Sequence, residues 1–234
     1  MSDALGGVEV CVAGDISDRH TGLQLTAGTH TLQGEQALQF LRIRHGIGDG
    51  SDLARISNQQ QFMSSLMRKL QDDDTLRDPT ILFSLATTAM QQVNSGQLVL
   101  DEGLADPTRM VQIAMALKDV PMDDIVFVQY PTSYAPSGNP DNNLVLPLTE
   151  TAEAVFAAIR ANEPIELTGE ASQGDGVVVQ GEDATGTTSP EPTPDPSTSA
   201  TGGSAPGPTE TAVALPSTVA GTTAEQVTCT VPEG

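Results

Sequence analysis

The stretch LRIRHGIGDGSDLARISNQQQ, residues 41–61, predicts the end of one helix, a turn with three glycines, and the start of a long second helix. It holds three of the ten basic residues, Arg42, Arg44 and Arg55, although the formal net charge of the 234-residue chain is -21. An acidic protein that gathers arginines around a glycine-rich turn is expected to bind an anion there. This stretch therefore organises both the fold prediction and the functional one.

Helical periodicity continues on both sides of the turn. The short helix is predicted to begin at Gly34 and Glu35 and to end near Arg44. Ser51 or Asp52 is expected to cap the long helix, which runs to about residue 70. The apolar residues of this helix keep the three-to-four spacing of a buried stripe: Leu53, Ile56, Met63, Leu66, Met67 and Leu70.

Strand and helix signals alternate along the rest of the chain. Alternating apolar residues predict a strand at 6–14, and GQLVL and DIVFVQYP predict strands at 96–100 and 124–131. Three further helix starts are expected at Asp78, Asp106 and Thr149. This alternation favours an α/β domain built in layers.

Composition divides the chain into two parts. From about residue 163 onward there is no Lys or Arg, while Pro, Gly, Ser and Thr become frequent. Such a segment offers little apolar surface to offset the entropy of ordering. We therefore predict a globular part over residues 1–162 and an acidic, disordered tail over residues 163–234.

Charge and hydropathy exclude several classes of protein. Nucleic-acid binding relies on a broad basic surface, which a net charge of -21 does not provide. No run of 18 or more apolar residues is present, so no transmembrane helix is predicted. The first residues lack the basic and apolar regions of a signal peptide.

The two cysteines, Cys11 and Cys229, lie at opposite ends of the chain. Without a Cys-x-x-Cys spacing they do not predict a zinc site. They are either unrelated thiols or one disulfide that ties the tail to the globular part, and the sequence leaves both possibilities open.

Helical geometry places several polar residues near the start of the long helix. Arg55 and Gln59 lie four residues apart on one face, with Asp52 three residues before Arg55. The helix start itself offers unpaired N–H groups to a phosphate, and the turn can fold Arg42 and Arg44 over it. Asp52 would cap the helix or orient an arginine.

A simpler interpretation remains open for the same arginines. They can be solvated, or paired with Glu35, Asp49 or Asp52. His45 borders them as a further phosphate donor or as a solvated loop residue. Tyr130 and Tyr134 can line a lipid or sugar groove or can serve ordinary loop packing.

Residues 4–12, ALGGVEVCV, and residues 22–62 carry several motifs in a fixed order: a Leu-x-Gly-x-x-Ala-Leu helix, an Arg-x-Arg pair, an Asp-x-x-Arg and a Gln-Gln. This arrangement resembles the C-terminal half of the domain found in the LytR–CpsA–Psr family. The members of that family are cell-wall glycopolymer ligases. The matching positions are Leu32, Gly34, Ala37, Leu38, Arg42, Arg44, Asp52, Arg55, Gln59 and Gln60.

The resemblance implies a fold, an activity and partners. The fold would be α-β-α layers with a mixed sheet flanked by helices. The activity would be transfer of a glycan from a polyprenyl-pyrophosphate carrier to peptidoglycan, with the lipid pyrophosphate supplying the leaving group. Arg42, Arg44 and Arg55 would be catalytic and, together with Gln59, would contact the pyrophosphate. Asp52 and Gln60 would support them, and the protein would act in the extracytoplasmic cell envelope.

The family's domain also has an N-terminal half, a membrane anchor and acidic residues that bind a divalent cation such as Mg²⁺. No residues of this chain match them, and Asp72–Asp74 are expected to be a solvated helix end. We therefore expect a partial domain without metal ligands that is poorly stable and is weakly active or inactive. Two other functions stay open: a non-catalytic module that binds polyprenyl pyrophosphate and, with less support, a transcriptional regulator.

Overall fold

The structure, a computed structural model, describes residues 2–71, 120–135, 144–181 and 212–234, together with scattered positions between 85 and 116. The predicted helix starts at Asp78 and Asp106 lie outside the described residues, as do Asp72–Asp74. The predicted strand at 96–100 also lies outside them, apart from Gly96, which is in a turn.

The helices and strands of the described part confirm the predicted α/β class. A 3₁₀-helix spans Ser2–Leu5, and α-helices span Gly34–Arg42 (α1), Asp52–Gln71 (α2) and Thr149–Ala161 (α3). The strands are β1 Val8–Val12, β2 Ile16–Ser17, β3 Gln24–Leu25, β4 Gly28–Leu32, β5 Val126–Val128, β6 Thr132–Tyr134, β7 Val145–Pro147, β8 Ile165–Glu166, β9 Val177–Val179, β10 Val213–Ala214, β11 Gly221–Thr223 and β12 Thr228–Thr230.

The largest sheet is mixed, as predicted. Its strand order is β4-β1-β12-β9, and β1 is antiparallel to β4 but parallel to β12. β12 is in turn antiparallel to β9. Two-stranded sheets pair β5 with β11, β8 with β10 and β6 with β7.

The core forms where α1 and α2 pack on this sheet. β1 alternates strictly, so that Val8, Val10 and Val12 are buried on one face together with Phe40 of α1 and Phe62 of α2. Burying one such side chain contributes about 1.5–3 kcal/mol to the stability of the fold. The period of two in the sequence thus predicted both the strand and its buried face correctly.

The buried face of α2 differs from the predicted one. Ile56 and Met63 of the expected apolar stripe are 38% and 44% exposed. The side chains that face the sheet include a polar row: Ser57, Asn58, Gln61 and Ser64.

These polar side chains are tolerated in the core because each finds a hydrogen-bond partner. Gln61 Nε2 donates to the carbonyl oxygens of Cys11 and Thr228 at 2.7 and 2.6 Å. Asn58 Nδ2 donates to the carbonyl oxygen of Phe40 at 2.6 Å, and Thr230 Oγ1 donates to Asn58 Oδ1 at 2.7 Å. Hydrophobic periodicity cannot predict hydrogen bonds between residues that lie this far apart in the sequence.

The predicted disordered tail is wrong for two of its segments. Residues 163–181 contribute β8 and β9, and residues 212–234 contribute β10, β11 and β12. Both segments are locally apolar, and Leu215 and Val219 are buried against Val155 of α3. The composition of the whole tail had concealed these short runs. Residues 182–211 lie outside the described residues.

Of the two possibilities for the cysteines, the structure has the disulfide. Cys11 of β1 and Cys229 of β12 are directly paired in the parallel ladder and are bonded to each other across 218 residues. The disulfide therefore fixes the central strand pair of the largest sheet. No helix in the described ranges has the length and apolar character needed to span a bilayer.

Candidate anion site at the start of helix α2

The arginine stretch forms a tight connection between α1 and α2. Ile43 and Ile47 are fully buried and fasten this connection to the core, while the residues between them face outward. Gly48 has a φ of +50°, and a Cβ there would overlap the carbonyl oxygen of Gly174. The turn therefore needs a glycine at this position both for its backbone conformation and for its packing.

Two of the predicted arginines meet at one carboxylate oxygen. Asp52 Oδ1 lies 3.1 Å from Arg55 Nη2 and 3.8 Å from Arg44 Nε. The three side chains are 51%, 40% and 48% exposed, so the cluster is open to solvent on one side. Arg44 Nε also donates to the carbonyl oxygen of Gly50 at 3.3 Å, which holds it over the turn.

One donor of this cluster has no acceptor. Arg55 Nε is buried and makes no hydrogen bond to any described residue. A buried donor without a partner costs about 1–3 kcal/mol. An anion that rearranged the guanidinium and accepted from Nε would recover part of this cost.

The other predicted site residues lie around the cluster without joining it. The Arg42 side chain is exposed and has no ion pair within the described part of the chain. Gln59 Nε2 donates to the carbonyl oxygen of Leu41 at 3.0 Å, so this amide fastens the end of α1 to α2. Gln60 is half-buried next to it. Contacts of Arg42, Gln59 and Gln60 with a ligand stay predictions.

The backbone N–H groups at the start of α2 are not open to an anion, although the sequence predicted that they would be. Ser51 Oγ accepts hydrogen bonds from the backbone N–H groups of Leu53 and Ala54, each at 3.2 Å. Gly174 and Gly176 also pack closely on this end of the helix. Because the capping side chain and the loop cover the backbone N–H groups, the arginine side chains are the groups that can donate hydrogen bonds to an anion here.

Asp49, which lies in the turn, is held by a tyrosine rather than by an arginine. The Tyr134 hydroxyl donates to Asp49 Oδ2. Burial alone would raise the pKa of Asp49, but hydrogen bonds from Ser51 and Tyr134 outweigh it and lower the pKa below its usual value. Burial and the bond to Asp49 raise the pKa of Tyr134. Tyr134 therefore borders the site, whereas Tyr130 packs its ring near Phe156.

A histidine pair adjoins the arginines. The rings of His20 and His45 have centroids 4.5 Å apart. Asp18 orders the loop of His20, because its Oδ1 accepts from the His20 backbone N–H at 2.8 Å. The structure thus brings the loop of residues 18–21 beside His45, the residue after Arg44, which the sequence did not indicate.

The described residues do not fit a site for a divalent cation. Within the described ranges, no three His, Cys, Asp or Glu side chains converge. Of the carboxylates in the turn region, Asp52 faces guanidinium groups and Asp49 accepts from Tyr134, so the two do not share a ligand position. No cation chemistry follows from these residues.

The sequence also missed the residues that hold the turn from a distance. Gly46 N donates to Glu233 Oε2 at 2.8 Å, and Gly48 N donates to the carbonyl oxygen of Val231 at 2.9 Å. These partners lie more than 180 residues away along the chain. No local signal in the sequence links them to the arginines.

Comparison with known proteins gives consistent matches. The sequence model of the LytR_cpsA_psr family matches residues 1–159. The cell wall biosynthesis protein LcpA of Corynebacterium glutamicum is 33% identical over 133 residues, which are 57% of this chain and 24% of that protein. The probable cell wall biosynthesis protein LcpB of the same organism is 33% identical over 98 residues, 42% of this chain and 23% of that protein. The chain thus spans about a quarter of the length of these curated relatives.

Two solved structures are also similar. The LytR-Csp2A-Psr enzyme from Actinomyces oris has 24% identity and a TM-score of 0.45, over 67% of this chain and 58% of that one. TagV of B. subtilis has 17% identity and a TM-score of 0.47, over 68% of this chain and 57% of that one.

Proposed function

The chain belongs to the LytR_cpsA_psr family, and from this membership we propose that it acts in the attachment of a polyprenyl-pyrophosphate-linked glycopolymer to peptidoglycan. The cell-wall role of the named relatives supports this proposal. The site of action is the cell envelope, and the arginine cluster binds the pyrophosphate.

The observation that carries the proposal is the meeting of Arg44 and Arg55 at Asp52 Oδ1. A single anionic oxygen at this point reaches both guanidinium groups. A phosphate oxygen has the same charge-assisted hydrogen-bonding chemistry as the carboxylate oxygen that lies there. The pyrophosphate therefore replaces Asp52 as the partner of the two arginines.

The exchange is energetically easy, because the present ion pairs are weak. All three side chains are about half exposed, and pairs of this kind contribute about 0–1 kcal/mol. A pyrophosphate carries more charge than one carboxylate and accepts several hydrogen bonds at once. We propose that Arg42, which is exposed two residues before Arg44 in the chain, adds a third guanidinium.

The arginines stabilise the charge that develops during transfer. An acceptor hydroxyl of peptidoglycan attacks the phosphorus next to the glycan, and the bond between that phosphorus and the bridging oxygen breaks. The electron pair stays on the bridging oxygen and the proton of the attacking hydroxyl passes to the solvent, so the lipid leaves as a monophosphate. Fixed positive groups at this oxygen stabilise the transition state more than the bound substrate, and this difference lowers the barrier. No step of this proposal runs through a divalent cation.

The test combines binding and transfer. Binding of inorganic pyrophosphate is measured by calorimetry for the wild type and for Arg55→Ala, with Arg160→Ala as the control, since Arg160 pairs with Glu153 on α3. We expect Arg55→Ala to weaken binding about tenfold or more and Arg160→Ala to leave it unchanged. Asp52→Asn should strengthen binding about threefold, because it removes the competing charge.

Transfer is measured with a polyprenyl-pyrophosphate-linked glycan and peptidoglycan. Product formation that Arg55→Ala abolishes supports the ligase. Binding without any transfer would instead identify a pyrophosphate-binding module. Equal binding by the wild type and Arg55→Ala would refute both.

A further inference from the structure

Glu233 binds both polar backbone groups of Gly46, the first glycine of the turn in the arginine site. Glu233 Oε2 accepts from the N–H of Gly46 at 2.8 Å, and the Glu233 N–H donates to the carbonyl oxygen of Gly46 at 3.1 Å. The next residues extend this contact, because Ile47 and Pro232 form an antiparallel bridge. One residue thus binds both sides of a peptide segment that directly follows Arg44 and His45.

The Glu233 carboxylate also lies near the far end of the turn. A Cβ placed on Gly50 would lie 3.6 Å from Glu233 Oε1. The carbonyl oxygen of Gly50 accepts the hydrogen bond from Arg44 Nε, and its N–H donates to the carbonyl oxygen of Ile47. The carboxylate therefore lies close to the residue whose carbonyl oxygen accepts the hydrogen bond from Arg44.

The glycines of the turn can adopt many backbone conformations, so the observed shape depends on contacts that hold it. Gly46 and Gly50 both have φ values in the left-handed region, +88° and +72°. On the other side of the turn, a Cβ at Gly46 would lie 3.1 Å from the carbonyl oxygen of Ser17. Gly46 is thus held between Ser17 and Glu233, and loss of the carboxylate frees one side of it.

We propose that Glu233 is a positioning residue of the arginine site: it fixes the turn that places Arg44 beside Arg55. It acts through the backbone of Gly46 and not by pairing with a guanidinium, because no described arginine lies within ion-pair distance of Glu233. This inference rests on the proposed function only in the identity of the anion.

The proposal predicts a difference between two substitutions. Glu233→Gln keeps a side-chain oxygen that accepts from Gly46 N, whereas Glu233→Ala keeps none. Both remove the same negative charge, as does Glu225→Ala at an exposed position elsewhere in the chain. A geometric role therefore separates Gln from Ala, and an electrostatic role does not.

The experiment uses the full chain and three measurements: amide hydrogen exchange at Gly46, the NMR signal of the Arg44 Nε–H, and the dissociation constant of inorganic pyrophosphate. In Glu233→Ala we expect exchange at Gly46 to become about tenfold faster, the Arg44 signal to shift, and pyrophosphate to bind about fivefold more weakly. Glu233→Gln and Glu225→Ala should stay within about twofold of the wild type.

Two results would overturn the inference. One is wild-type pyrophosphate affinity in Glu233→Ala despite faster exchange at Gly46. The other is equal loss in Glu233→Gln and Glu233→Ala. If Glu233→Ala does not fold, an unchanged Glu233→Gln beside a weakened Gly46→Ala supports the role, and a weakened Glu233→Gln refutes it. If the wild type binds no pyrophosphate, the proposed function fails, and the Arg44 signal alone decides the role of Glu233.

Discussion

At the scale of single residues, local spacing located part of the site. Asp52 and Arg55 were placed on one helix face by their separation of three, and the structure joins them through Asp52 Oδ1. Arg44 reaches the same oxygen across the turn. Spacing did not reveal the hydrogen bond of Gln59 to Leu41, because that contact depends on how α1 packs against α2.

The contact of Tyr134 with Asp49 predicts a measurable titration. Burial and the hydrogen bond to Asp49 favour the protonated phenol, so the pKa of Tyr134 is expected above 10.0. The chain has two tyrosines and no tryptophan, so Tyr130→Phe leaves Tyr134 as the single ultraviolet chromophore that titrates. In that background, Asp49→Asn should lower the pKa of Tyr134.

Asp123→Asn is the matched control, since Asp123 does not influence Tyr134. A pKa of Tyr134 at or below 10.0, or equal values with and without Asp49, would contradict the contact.

The same pair affects acid stability in a defined direction. Because the folded-state pKa of Asp49 is lowered, its contribution is present above pH 3.8 and is lost as the pH falls through the lowered value.

At the scale of elements, hydrophobic periodicity predicted helix bounds better than helix faces. The start of α2 follows its capping Ser51, as expected from the sequence. Its buried face instead includes Asn58 and Gln61, whose side chains donate hydrogen bonds to carbonyl groups that are distant in sequence. A pattern method assumes that buried means apolar, and α2 violates that assumption.

The packing of the turn against the loop at Gly174 predicts a strong effect of one methyl group. In Gly48→Ala the new Cβ would overlap the Gly174 carbonyl oxygen and lie 2.8 Å from Ala54 Cβ. We expect this variant to lose about 1–3 kcal/mol of unfolding free energy beyond the backbone strain. Urea unfolding provides the measurement.

Gly6→Ala isolates the strain. Gly6 also has a left-handed φ, +72°, but a Cβ there would meet no atom within 4 Å. Equal losses of unfolding free energy in the two variants would show that the turn does not pack tightly against Gly174.

At the scale of the whole molecule, composition misjudged the residues after 163. Five strands come from this region, and two of them, β9 and β12, belong to the largest sheet. An average over 72 residues rich in Pro, Gly, Ser and Thr hides two short apolar segments. The partners of residues 212–234, β1 and α3, lie far away in sequence, so the order of this segment is a property of the assembled fold.

The disulfide predicts a large effect of reduction on stability. Closing a loop of 218 residues lowers the entropy of the unfolded chain, which corresponds to roughly 5 kcal/mol. Urea unfolding with and without a thiol reductant should show a lower midpoint after reduction. The double variant Cys11→Ser, Cys229→Ser should unfold at the reduced midpoint in both buffers, and a reductant-insensitive wild type would contradict this role of the disulfide.

The parallel pairing of β1 with β12 also has a consequence for synthesis. A ribosome adds about 5–20 residues per second, so roughly 10–40 s separate the appearance of Cys11 from that of Cys229. Until β12 has been synthesised, β1 lacks the strand that pairs with its edge opposite β4 in the folded chain. The edge of β1 opposite β4 therefore stays open to pairing with foreign strands until β12 folds onto it.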